Sequence, residues 1–109
     1  MPNEFCLPMT LTHLSLCKGD KHIVHNLDFD LVEIAGSEDE AWERLTHSIR
    51  TYVEFGLSKG WENCILHKAP NRYWDLLTDL PAKFMEPITI ANYRAPVVKV
   101  ELDEAAYAA

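Results

Sequence analysis

No stretch of this 109-residue chain approaches the ~20 consecutive apolar residues of a membrane-crossing helix. Its Met-Pro-Asn-Glu start also lacks the basic residues of a secretory signal, so a cytoplasmic protein is expected. Cysteine is scarce. Cys6, Cys17 and Cys64 are odd in number and far apart, which excludes a disulfide framework and a Cys-x-x-Cys metal knuckle. They read as reduced, mostly buried thiols. There is no Gly-x-Ser-x-Gly elbow, no glycine-rich phosphate loop and no His-Glu-x-x-His, so the usual nucleophile, nucleotide and zinc-protease signatures are absent. Positive charge is also in deficit: seventeen acids against ten Lys plus Arg give a formal charge of -7. That balance repels phosphate backbones, so direct nucleic-acid binding is not expected. It suits a basic protein partner, and it serves solubility equally well.

What is present is organised around Gly36 to Lys59. Ser37 offers a hydroxyl to the first free amides of a helix, and Glu40 stands three residues on, as in a capping box. Trp42, Leu45, Ile49, Tyr52, Val53 and Gly56 then recur at steps of three and four, which places one apolar stripe along one side. Gly60 stands where a left-handed cap is expected. At ~1.5 Å per residue this helix spans roughly 33 Å, enough to cross a small sheet.

Before it, Met9 to Cys17 reads as a strand whose apolar parity changes between Met9, Leu11 and Leu14, Leu16, which predicts a bulge near Thr12 or His13. Lys18-Gly19-Asp20-Lys21 is a tight turn, His22 to Leu27 the returning strand, and Asp28 to Ala35 a third. After the main helix, Trp61 to His67 reads as a short second helix, and Pro70 to Leu80 as a third that Pro81 stops. Pro81 to Pro87 reads as a connector, Ile88 to Tyr93 and Val97 to Leu102 as late strands, and Ala105 to Ala109 as a tail. The expected fold is α+β: one domain spanning 1–109, with an antiparallel sheet in the order β-β-β-α-α-α-β-β and the long helix across one face. Its core lies within 9–80, and 81–109 is a strand extension. A sheet covered on one side leaves a face and edges free, so homo-oligomerisation through the late strands is expected.

Asp28 and Asp30 are two apart on the expected third strand, hence on one face, where two carboxylates are able to share a divalent metal. Glu33 falls on the other face, and no third ligand is visible from spacing. Asp28, Asp30 and Glu33 are therefore assigned to a partner-contacting face, with metal-dependent nuclease chemistry as the lesser alternative. No cofactor is expected. His22 and His25, three apart, face opposite ways on a strand, while His13 is able to approach His25 across the hairpin; all three read as ordinary surface histidines. Tyr73, Trp74 and Trp61 read as core, not as a base-stacking platform.

The stretch His22 to Val53 resembles the HicB-like antitoxin domain. The resemblance is carried by Ile23-Val24-His25-Asn26-Leu27-Asp28-Phe29-Asp30-Leu31, by Gly36-Ser37-Glu38-Asp39-Glu40-Ala41, and by Leu45, Ile49 and Tyr52. It implies a partial ribonuclease H type fold without nuclease activity, which oligomerises and covers a small basic toxin. Members of that family often add a C-terminal DNA-binding module, but nothing after Pro81 is long or basic enough to be one. The leading expectation is thus a solitary, non-enzymatic, antitoxin-type protein that occludes a small basic partner. The alternative is a self-assembling structural module without a toxin.

Overall fold

The Gly19-Asp20 turn closes a two-residue hairpin between β1 (Leu11–Lys18) and β2 (Lys21–Asn26), with Lys18 opposite Lys21 and Gly19 at φ +63°. Only glycine enters that left-handed region at no steric cost, so the hairpin is fixed by local chemistry. The computed structural model describes residues 10–60, 67–90 and 93–108. Beyond the hairpin come β3 (Leu31–Ala35), α1 (Glu38–Ser58), the single-turn α2 (Asn71–Asp75), β4 (Ala82–Ile90), β5 (Tyr93–Glu101) and the single-turn α3 (Glu104–Ala108). The short helix expected over Trp61 to His67 falls almost wholly outside the described residues. None of the helices among the described residues is long and apolar enough to cross a membrane.

The long helix is as its sequence signals it. Ser37 Oγ accepts from the Glu40 amide at 3.2 Å, the buried stripe is Ala41, Leu45, Ile49, Val53 and Gly56, and Gly60 follows at φ +74°. Glu40 directs its carboxylate at Arg44, one turn on, at 2.8 Å. The start of α1 is tied to the sheet by an ion pair between Glu38 and Lys99 of β5, and that Lys99 bond holds the Glu38 carboxyl below its ordinary range.

The fold is α+β, but its sheet is mixed, a correction to the antiparallel order expected. The five strands lie in the order β3-β2-β1-β5-β4, and β5 runs parallel to β1 with Leu11 opposite Val97. The late strands pair within the chain, β4 antiparallel to β5 and β5 beside β1, which leaves the outer edge of β4 without a neighbour among the described residues. Pro81 to Pro87 is not a connector, because β4 begins at Ala82 and passes through Pro87. Pro87 is tolerated because β4 is an edge strand and because the register shifts between Met85 and Ile88. Pro96 of β5 lies opposite that irregularity, between Ala95 and Val97.

The sheet is covered on both faces, not one. On one face Leu11, Val24, Phe29, Ile90 and Val97 pack against the α1 stripe. On the other, Leu14, Leu27 and Val100 are covered by Tyr73, Trp74, Leu76, Leu77, Leu80 and Tyr107, contributed by α2, the turn after it and α3. Two-faced burial explains the parity change in β1: Leu11 faces α1 while Leu14 and Leu16 face the other way, and its pairing with β2 runs through without a bulge. It also makes residues 81–109, expected as an extension, the source of a central strand. Of the expected tail, residues 105–108 lie in α3. Cys17, expected as a buried thiol, is exposed.

Candidate functional site

The candidate carboxylates sit at the corner between β2 and β3. Residues 27–30 form a turn, not the continuous strand expected, so Asp28 and Asp30 do not share a face. Asp30 takes φ +56°, a left-handed conformation that aspartate tolerates better than most residues. The chain reverses there, and the two side chains go to opposite sides of the sheet.

Asp28 is buried, 4 % exposed, and Oδ2 accepts from the Thr12 amide at 2.7 Å and from Asn26 Nδ2 at 3.4 Å. Asn26 is fully engaged, since Nδ2 also donates to His13 Nε2 at 3.1 Å and Oδ1 accepts from the Phe29 amide at 2.7 Å. His13 Nδ1 donates to the Val98 carbonyl at 3.0 Å. Burial pushes the Asp28 carboxyl up to about 6 against the pull of its hydrogen bonds, and burial pushes His13 down to about 4. His13, Asn26 and Asp28 therefore form a closed internal network that joins β1, β2 and β5.

On the other face, His25 Nε2 donates to Asp30 Oδ1 at 2.7 Å, and Nδ1 accepts from the Tyr107 hydroxyl at 2.9 Å. The ring also stands edge-on to Tyr73 at 4.8 Å. Burial lowers the His25 pKa, opposed chiefly by the Asp30 hydrogen bond, and burial pushes Tyr107 up to about 12. This network clamps α2 and α3 onto the sheet. His13 and His25 are thus interior residues, 1 % and 2 % exposed, which corrects their reading as surface histidines. His13 does not approach His25 as a partner, because the register puts it opposite Asn26 and so on the other face. Among the described residues, no buried side-chain nitrogen or oxygen lacks a hydrogen-bond partner.

Glu33 is half-buried on the α1 side and accepts from Ser48 Oγ at 2.7 Å. The three predicted residues are therefore not one cluster: Asp28 is interior, while Asp30 and Glu33 flank β3 on its two faces. Val32 and Ile34, 43 % and 49 % exposed, lie on the face opposite Glu33, on an edge strand with no outer neighbour among the described residues. Arg44 reaches over from α1 to cap the Ile34 carbonyl at 2.9 Å. The sequence reading placed only the carboxylates of this strand and so missed the exposed pair. The signal present was the alternation of Val32 and Ile34 against Glu33. Among the described residues, no three His, Cys, Asp or Glu side chains are gathered to hold a metal, and Asp28 and Asp30 do not converge as a nuclease pair would. Comparison with protein families, with curated proteins and with solved structures found no match to this chain.

Proposed function

We propose that the domain is a HicB-like, antitoxin-type binding protein with a partial ribonuclease H type arrangement, acting by occlusion of a small basic protein on its β3 edge. The observation that carries this reading is the pair of exposed β-branched residues, Val32 and Ile34, on one face of the outermost strand, with Asp30 in the turn that leads into it. An exposed edge of this kind is ordinarily blunted, because it invites pairing. Arg44 caps only one of its carbonyls. Exposed apolar side chains supply the desolvated centre of a protein interface.

The charge balance supports a basic occupant of that edge. A second copy of the chain brings the same formal charge of -7 and repels the first, whereas a basic protein is drawn in. The self-assembling module is kept as the alternative reading.

The test is recovery of the tagged full-length chain from its native cells at low and at high salt. The expected result is one small protein of basic composition, in fixed stoichiometry, whose association weakens as salt rises. Recovery of the chain alone at every salt concentration contradicts the proposal, and recovery of stable homo-oligomers favours the alternative.

A further inference from the structure

On the flank of α1 that faces β4, Asp39, Trp42, Glu43 and Arg50 border an open depression of about 600 Å³, with Met85 of β4 on its far side. A space of that size admits a long side chain together with the backbone that presents it. Trp42 and Met85, both half-buried and both packed against the core beneath α1, give it an apolar floor. The indole is held in place. Its Nε1 donates to Glu38 Oε2 at 3.3 Å, and its ring makes a T-shaped contact with the buried His13 ring at 5.0 Å. Arg50 Nε donates to the Thr89 carbonyl at 2.9 Å, which closes the depression at the end away from the helix start.

The charge at the rim is uncompensated. Asp39 and Glu43 are exposed, stand one turn apart on α1, and neither carboxylate has a partner among the described residues. Like charges at this spacing repel. On the β3 flank the same spacing is neutralised, because Glu40 pairs with Arg44 at 2.8 Å. A fixed aromatic floor beside two free carboxylates suits a guanidinium, which stacks on a ring while it donates to an acid, better than it suits an ammonium point charge. We propose that this depression is a docking groove for an arginine side chain presented by a basic protein segment, with the guanidinium against Trp42 and paired with Asp39 and Glu43. Arg50 repels a cation at the closed end, so the arginine sits toward the helix start. The formal charge of -7 favours the approach of such a segment. The groove lies on the flank of α1 away from β3, and the proposal stands independently of the β3 edge.

Titration of the isotope-labelled full-length chain with the peptide acetyl-Gly-Arg-Gly-amide, followed by NMR, tests the groove. The same peptide with citrulline in place of arginine keeps the shape and removes the charge. The expected result is a saturable shift of the Trp42 indole N–H and of the backbone amides around it, with affinity for the citrulline peptide lower by at least about tenfold. Asp39→Asn/Glu43→Gln, at two exposed positions, lowers affinity for the arginine peptide to the citrulline level with the circular dichroism of the fold unchanged. Asp75→Asn/Asp79→Asn makes the same change of net charge at exposed positions elsewhere and leaves the affinity as it is. Val32→Lys/Ile34→Lys also leaves it as it is, which separates this groove from the β3 edge. Equal affinity for the two peptides, unaltered affinity in Asp39→Asn/Glu43→Gln, or shifts confined to β3 overturns the proposal.

Discussion

Phe29→Ala is expected to lower the stability of the fold by about 3–5 kcal/mol, a large part of the ~5–15 kcal/mol that holds a domain of this kind together. Phe29 is 2 % exposed and belongs to the cluster in which Leu11, Val24, Leu45, Ile49 and Val53 meet. Its ring lies 5.7 Å from that of Tyr52 on α1. Its amide is bonded to Asn26, so the backbone around it is fixed and the vacated space has little freedom to collapse. The cost combines lost apolar burial with the residual cavity. In urea, the midpoint is expected to fall with the slope of the transition unchanged. Phe84→Ala serves as the control: Phe84 is 83 % exposed on β4, and a change within about 0.5 kcal/mol is expected.

The second large effect is a pair of opposed proton linkages between about pH 4 and pH 6.5. Asp28 is raised from 3.8 to about 6, so the folded state holds its proton more tightly than the unfolded state does. That contribution is fully present below pH 4 and is lost as pH rises through 6, at about 3 kcal/mol for a shift of this size. His13 is lowered from 6.5 to about 4, so there the unfolded state binds the proton more tightly. Its contribution is present above pH 6.5 and is lost as pH falls through 4, again at about 3 kcal/mol. The two nearly cancel, and His25, lowered as well, tips the balance toward loss in acid. Each variant should therefore uncover the other group. Asp28→Asn keeps an acceptor for the Thr12 amide and leaves the histidines alone, so stability should fall steeply from pH 6.5 to 4. His13→Gln leaves Asp28, so the acid-side loss should shrink or reverse. Stability measured across that range by denaturant titration checks both, and identical pH profiles for wild type and both variants would contradict the account.

The parts of this fold legible in the sequence are those fixed by local chemistry. Gly19 at the turn, Ser37 at the helix start, the stripe from Leu45 to Val53 and Gly60 at the end all act within a few residues of themselves, and all are found where expected. The misreadings have separate physical causes. Alternation in β1 was read for a sheet with one buried face, whereas α2 and α3 cover the second face, so Leu11 and Leu14 are both interior and no bulge is needed. β4 hid behind Pro87, which an edge strand tolerates. α3 is a single turn too short to stand alone, and it is held by Tyr107 bonding to His25, 82 residues away. At the candidate site the cause is local. Spacing put Asp28 and Asp30 on one face only if the chain between them stayed extended, and the left-handed backbone at Asp30 breaks that assumption. The partners of Asp28 and Asp30, Thr12 and His25, are brought to them by the turn itself.

The account rests on β3 as a binding edge, and the most direct measurement is the affinity of Val32→Lys/Ile34→Lys, compared with wild type, for the basic protein recovered with the chain. Both positions are partly solvent-exposed, so the double variant should fold, which circular dichroism verifies. The account predicts binding weaker by at least about tenfold, or 1.4 kcal/mol, with Phe84→Ala binding as the wild type does. Equal affinity of the folded double variant and the wild-type chain would contradict it.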